Sequence, residues 1–303
     1  MKNPYSLSTS WNAHRHHKGS DVINEIKDAG FDTVELSFDL SKGMVDEILA
    51  MARSGEINVS SLHNMCPIPE GMDRDKALPD FYSMTSLHEE ERRMAVDIAK
   101  STIRYAKEFD ARAVILHTGF VDVRDRLREL AHAYYDREKY NQIKQEMVQE
   151  REAVKRPYID NLIKSLKELV PLAVSCGIGL AVETRYHHRD IPLLEEFDEI
   201  FSDFKKGELF YWHDVGHAEA FERLGLANHK EYLKRFQNRL LGIHLHDIIG
   251  LIHDHNSPGA GTFDFRILKP YVRKDTLLVI EAHAPATADE LREGVGLLTG
   301  IFE

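Results

Sequence analysis

Six short apolar runs in this 303-residue chain end in histidine or a carboxylate. In order they are Leu62-His63, Ile115-Leu116-His117, Ala181-Val182-Glu183, Tyr211-Trp212-His213-Asp214, Gly242-Ile243-His244-Leu245-His246 and Val279-Ile280-Glu281. A buried strand needs no such ending in order to fold. Laid side by side as parallel strands, these runs would bring imidazole nitrogens and carboxylate oxygens together at one end of a sheet, which is what a divalent metal site requires. Glu183, Asp214, His244 and Glu281 form the sharpest set, because each ends or nearly ends an apolar run and the four come from successive runs. Two Glu, one Asp and one His offer hard oxygen and borderline nitrogen donors, a mixture that suits Mn²⁺, Mg²⁺, Co²⁺, Fe²⁺ or Zn²⁺.

Other residues join this set by spacing. His217 follows Asp214 in an Asp-x-x-His pattern, so both can face one cavity. His246 shares a strand face with His244, because side chains alternate with period two, and it either meets substrate or braces a ligand. His213 points the other way and is expected to pack. Arg185, His187, His188 and Arg189 make a basic loop after the fifth strand, and His14, Arg15, His16 and His17 another near the start. Guanidinium forks match carboxylate and phosphate oxygens, and ordinary solvated loop charge is the competing explanation. Arg185, His187 and Trp11 are candidates for substrate contact, Trp11 as an aromatic wall or else as core. Glu35 ends the second strand, where it would orient a ligand or pair with an arginine. Cys66 lies near the same end without the pattern of a catalytic thiol.

The elements that must carry these residues alternate. Strands are expected at 5–10, 33–37, 58–63, 113–117, 179–183, 209–214, 241–246 and 276–281. Helices are expected between them, at 20–29, 43–53, 87–109, 157–176, 192–204, 230–236 and 288–298. Ser20 reads as a cap for the first helix, with Gly30 past its end, and Gly177 follows the long helix ending near Cys176. Continuous apolar strands alternating with helices indicate a parallel sheet buried on both faces. Eight such units in this length predict an α/β fold: a single (β/α)8 TIM barrel spanning residues 1–303, whose strand C-termini carry the site. Two segments break the rhythm. Residues 67–86 form a loop containing Pro67, Pro69 and Pro79, and residues 121–156 are a charged, aromatic helical insertion after strand four. Both emerge on the side of the strand ends, as lids, substrate walls, oligomer contacts or a solvated excursion.

Composition bounds the rest. Hydrophobic residues make up 43% and charged residues 29%, enough for a sizeable core, and the formal charge of −11 disfavours a broad nucleic-acid surface. Two cysteines build no disulfide framework. Seventeen histidines are spread along the chain, so neither a tag nor a low-complexity tract explains them. The start lacks the apolar core of a signal peptide and no apolar run is long enough for a bilayer, so a cytoplasmic enzyme or binding protein is expected.

Val182-Glu183, Asp214-Val215-Gly216-His217, Gly242-Ile243-His244-Leu245-His246-Asp247, Pro258-Gly259-Ala260-Gly261-Thr262-Phe263-Asp264 and Ile280-Glu281 give the chain a resemblance to the xylose isomerase-like TIM barrels. That superfamily holds sugar epimerases, inosose dehydratases and endonuclease IV. The likeness covers the C-terminal half well, and the N-terminal half mainly in rhythm and in Val34-Glu35-Leu36. It implies that Glu183, Asp214, His244 and Glu281 bind the common metal, with Glu183 and Glu281 also acting as acid and base. It implies substrate contact for His217 in the epimerases, or a further zinc in endonuclease IV-like proteins. His63 and His117 match additional metal ligands of the latter, or the histidines with which single-metal relatives hold substrate. By spacing from the Gly-x-Gly turn, His255 falls on a family histidine. His253 falls where an aspartate is expected, with Asp254 one position off, so one metal or as many as two or three remain open.

Three functions follow from these residues. The first is a metal-dependent isomerase or epimerase of a sugar-like hydroxy-ketone, working by proton transfer through an enediolate, with dehydration of an inosose-like substrate as a close variant. The second is a multi-zinc phosphodiester hydrolase of the endonuclease IV type. Against it stands the absence of a Lys/Arg stripe with interleaved aromatics, and of an aromatic residue in His63-Asn64-Met65-Cys66-Pro67. The third is a metal-dependent binding barrel without catalysis. The expected partner is a small carbohydrate-like molecule, with neither nucleic acid nor membrane, and homo-oligomers through the loops are compatible with it.

Overall fold

The computed structural model describes residues 4–303. In chain order the strands are β1 (Ser6–Ser8), β2 (Thr33–Leu36), β3 (Asn58–His63), β4 (Ala113–Leu116), β5 (Gly179–Glu183), β6 (Phe210–Asp214), β7 (Leu240–Leu245), β8 (Asp247–Ile249), β9 (His253–Asn256) and β10 (Leu277–Ile280). Eight of them close into a parallel barrel in the order β1-β10-β7-β6-β5-β4-β3-β2, while β8 and β9 form a separate antiparallel hairpin. The helices are α1 (Gly19–Asp28), α2 (Lys42–Arg53), α3 (Glu89–Glu108), α4 (Leu127–His132), α5 (Arg137–Val154), α6 (Arg156–Cys176), α7 (Leu194–Ser202), α8 (Val215–Arg223), α9 (His229–Phe236) and α10 (Ala288–Phe302). This is the (β/α)8 barrel that the alternation predicts.

Period-two alternation along the strands builds the interior in layers. Ile115, Ala181, Trp212 and Val279 pack together inside the barrel. The next inward positions are His117, Glu183, Asp214 and Glu281, which form a polar layer directly above the apolar one. Gly242 is required here: a Cβ on it would sit 2.2 Å from Trp212 Cζ3. With no side chain at 242, the indole fills the barrel beneath His244, with ring centroids 5.1 Å apart.

The first helix departs from the capping expected of Ser20. Its cap position is Lys18, with no side-chain cap, and Ser20 lies in the first turn. The backbone of Gly19 presses against α2, where a Cβ would meet Met44 O at 2.1 Å. Glu47 of α2 then takes over the capping, accepting from Ser20 N at 3.1 Å and Ser20 Oγ at 2.9 Å. Gly30 and Gly177 do adopt the positive φ that ends a helix.

Between β4 and α6 the chain forms α4 and α5. Leu127, Leu130, Ile143 and Met147 bury a small core of their own against Phe221 and Leu224. Arg151 of α5, fully buried, grips Glu196 through Nη1 at 2.5 Å and Nη2 at 2.7 Å, and donates to Asp190 O at 2.8 Å. The insertion is thereby tied to the loop after β5. Residues 64–88 connect β3 to α3 without regular structure except a single 3₁₀ turn, Arg74–Lys76.

Candidate metal centre

Strands β5, β6, β7 and β10 deliver Glu183, Asp214, His244 and Glu281 to one point at the top of the barrel. His244 Nδ1 lies 2.6 Å from Glu183 Oε1, 2.9 Å from Glu281 Oε2 and 3.6 Å from Asp214 Oδ2. Its Nε2 lies 3.0 Å from Glu35 Oε1, and Glu35 Oε2 accepts from Ser61 Oγ at 2.7 Å. Carboxylates face both ring nitrogens, so without an ion the imidazole is drawn to carry a proton on each; an ion at Nδ1 would leave the remaining proton on Nε2, donated to Glu35. Three buried carboxylates around one ring nitrogen repel one another unless a cation joins them. The protonation behaviour shows the same need. Burial opposes charge on His244, yet Glu281, Glu35 and Glu183 outweigh it and push the imidazole well above its usual range. The donor set therefore fits a divalent ion, and Glu183, Asp214, His244 and Glu281 are the residues that could hold one.

Asp214 is positioned twice over. It caps α8, its Oδ1 accepting from His217 N at 2.7 Å, which explains the Asp-x-x-His spacing as a helix start. It also faces His246 Nε2 at 3.0 Å. His246 Nδ1 accepts the backbone N–H of His255 at 2.8 Å, so its proton sits on Nε2 and is donated to Asp214. Gly216 makes this possible, because a Cβ there would lie 2.2 Å from His246 Cε1.

Two further groups, and a fourth that combines Asp214 and Glu281 with His246 and His255, adjoin the first. His63, His117 and Glu183 converge, with Glu183 Oε2 at 2.7 Å from His117 Nε2 and 3.5 Å from His63 Nε2. Glu183 thus offers one oxygen to each group. Burial works to raise its carboxyl, but His117 and His244 hold it well below the usual range. His63 donates Nδ1–H to Asn64 O at 2.8 Å, leaving Nε2 free to ligate. The third group is His217, Asp254 and His255. His217 donates Nδ1–H to Thr184 O at 2.9 Å and sets Nε2 3.7 Å from Asp254 Oδ2. Burial lowers His255, but the Asp254 carboxylate 3.1 Å away raises it to about 9.

Asp254, not His253, supplies the carboxylate of this third group. His253 is exposed and lies outside all of these clusters. The hairpin explains it: the β8–β9 pairing is irregular and His255 adopts φ 54°, so the adjacent Asp254 and His255 both turn toward the site.

A cavity of about 520 Å³ opens above, lined by Asp80, His117, Arg185, His187, His217 and His255 among others. Arg185 is 2% exposed and committed to carboxylates, with Nη2 on Asp80 and 3.4 Å from Asp190 Oδ2. His187 Nδ1 pairs with Asp125 Oδ2 at 2.8 Å. Trp11 is not part of this cavity. It is buried, donates Nε1–H to Ala286 O at 2.7 Å, and lines a separate pocket with Arg15 and Arg292. His213 points out of the barrel into hydrogen bonds with Tyr211 and His229. Cys66 is buried, which raises its thiol well above the usual range. Asp80 and His283 went unmarked in the sequence, and neither ends an apolar run. His283 stacks on His255 with centroids 4.0 Å apart.

Comparison with known proteins places the fold. The uncharacterized protein MJ1311 of Methanocaldococcus jannaschii is 25% identical over 185 residues, covering 59% of this chain and 53% of that protein. The chain thus spans about half of that relative's length. A crystal structure of a D-tagatose 3-epimerase-like protein superposes with a TM-score of 0.68 at 20% identity, covering 99% of both chains. The IolI protein with a bound zinc atom superposes with a TM-score of 0.70 at 14% identity, covering 100% of both chains. At these identities the likeness is one of fold. The family model for xylose isomerase-like TIM barrels matches residues 23–300, nearly the whole barrel and every strand end described above after β1, and the chain belongs to that family.

Proposed function

We propose that the chain is a divalent-metal-dependent isomerase or epimerase acting on a small sugar-like hydroxy-ketone. The observation that carries this reading is the pair Glu183 and Glu281, two buried carboxylates that approach His244 Nδ1 from different strands beneath a small-molecule cavity. A bound divalent ion would polarise the substrate carbonyl and its neighbouring hydroxyl and so ease loss of the α-proton. Glu183 and Glu281 then serve as base and acid, one removing the proton and the other returning it to the opposite face of the enediolate. Loss of a β-hydroxyl from the same enediolate, leaving as water with a proton supplied by the second carboxyl group, gives the dehydratase variant. His117 and His217 line the cavity wall within reach of the substrate's oxygens, while Arg185, committed to Asp80 and Asp190, holds that wall in place. The D-tagatose 3-epimerase-like protein among the similar structures supports this reading, and IolI with its bound zinc supports a zinc-compatible site. No helix of the described residues is long and apolar enough to cross a membrane.

The test is a screen of ketoses, inososes and keto acids for exchange of an α-proton with deuterated solvent, using protein loaded with Mn²⁺, Co²⁺ or Zn²⁺. Glu183→Gln and Glu281→Gln are each expected to slow exchange by about 10²–10⁴-fold. No exchange across the panel rejects the reading.

One observation favours a second reading. Glu183 is shared by two donor groups, with a third group adjoining them, and this arrangement suits several ions clamping a phosphodiester for hydrolysis. Two or three zinc ions per chain together with cleavage of abasic-site DNA would establish it. The charge of −11 weighs against a polyanionic substrate.

A further inference from the structure

The segment between β3 and α3 is pinned at both ends. At one end Arg74 donates to Asp39 O at 2.7 Å and to Ala13 O and His16 O at 2.8 Å each, tying it to the loops after β1 and β2. At the other, Thr85 Oγ1 donates to Phe120 O at 2.8 Å and Ser86 Oγ to Glu91 Oε2 at 2.7 Å. Between these anchors Leu78, Pro79, Asp80 and Phe81 line the cavity above the donor groups. Leu78 and Phe81 are 61% and 45% exposed, so little apolar burial holds the middle of this stretch down, while Ala77 and Tyr82 at its two ends pack into apolar clusters and would act as its hinges.

Asp80 is the inward-reaching member. Its Oδ2 contacts Arg185 Nη2 and lies 3.5 Å from His117 Nδ1. The other nitrogen of His117 faces Glu183 Oε2 at 2.7 Å. A carboxylate behind a ligating imidazole fixes which nitrogen carries the proton and how the ring is turned. Release of Asp80 does not strand a buried cation, because Asp190 Oδ2 stays within 3.4 Å of Arg185 and is itself held by His187 N at 3.0 Å. Two positions of the segment are therefore electrostatically tolerable, while only the closed one braces His117.

We propose that residues 77–82 are a lid latched by Asp80, and that the latch orients His117 toward Glu183, so that closing the cavity and completing the donor group are one event. Asp80 is a positioning residue acting through His117. The inference goes beyond the proposed function, since it holds for either reaction and needs only that His117 belongs to the metal-binding set. A lid of this kind excludes water from the cavity once substrate is inside.

The test uses the full chain with Zn²⁺ as the probe. Amide hydrogen exchange is followed across residues 77–82 in the wild type, Asp80→Ala and Asp80→Asn, and Zn²⁺ affinity is measured by competition with a chromophoric chelator. Asn keeps the size of the side chain, which guards against a merely steric collapse of the loop. Both variants are expected to exchange at least about tenfold faster at 77–82, with amides of the barrel strands unchanged. Zn²⁺ binding at the weakest site is expected to fall by about 10–100-fold. Wild-type exchange at 77–82, or wild-type affinity for every zinc, overturns the proposal. Neither readout depends on α-proton exchange with any substrate, so failure of the isomerase reading would be seen separately.

Discussion

Glu35 Oε1 and His244 Nε2 meet at 3.0 Å across the barrel interior, although 209 positions separate them in the chain. Their strands, β2 and β7, are not neighbours in the sheet. The contact decides which imidazole nitrogen faces Glu183, Asp214 and Glu281. Glu35→Gln removes the charge and lets the amide present a donor or an acceptor to Nε2. It is expected to weaken divalent-metal binding by about 10–100-fold, measured by isothermal titration with Co²⁺ or Zn²⁺. Unchanged affinity would show that Glu35 does not set the tautomer.

His253 and Asp254 are adjacent but face different surroundings. His253→Ala is expected to leave the number of bound zinc ions unchanged. Asp254→Asn removes the carboxylate beside His217 and His255 and is expected to lower bound zinc by about one ion per chain if the third group is a metal site. Elemental analysis of dialysed protein distinguishes the two. Equal zinc in both variants would reduce that group to a hydrogen-bonded wall of the cavity.

The insertion is held by a buried charge pair. Arg151→Ala takes the bidentate guanidinium from Glu196, itself 4% exposed, leaving it only Lys155 Nζ at 3.4 Å and the Leu193 N–H, and is expected to cost about 3 kcal/mol in urea denaturation. A loss under about 1 kcal/mol would mean that the surrounding packing, not the pair, secures α5 to the loop after β5.

His188 gives a pH signature away from the donor groups. Burial, helped by the Arg151 charge, lowers its imidazole to about 4 from an ordinary 6.5. The folded state therefore keeps His188 neutral where the unfolded chain takes up a proton. Its contribution is complete above pH 6.5 and is lost as pH falls from 6.5 toward 4. At pH 5 the wild type should have lost about 2 kcal/mol by this route relative to pH 7. His188→Leu should lack that component, and parallel stability profiles for the two proteins would refute it.

How far the chain could be read in advance depended on how local each feature is. Apolar runs ending in Glu183, Asp214, His244 and Glu281 announce themselves because strand alternation is a local property, and so does the helix start at Asp214-x-x-His217. Alternation of strands and helices was enough to indicate the barrel. Other features depend on packing between distant segments. Ser20 lost its capping role because α2 presses on Gly19 and offers Glu47 instead. Trp11, an aromatic near the first strand end, turned toward Ala286 and away from the cavity. Asp254 displaced His253 because of the backbone turn at His255. Asp80 sits in a loop with no periodicity to interpret, and only its ion pair with Arg185 shows where it reaches. The sequence by itself determined which donors end the strands and that a barrel carries them, since both follow from residue type and period. Contacts across the barrel, which no local pattern encodes, set which donors share an ion-sized space, which nitrogen each histidine turns inward, and which loop lines the cavity above them.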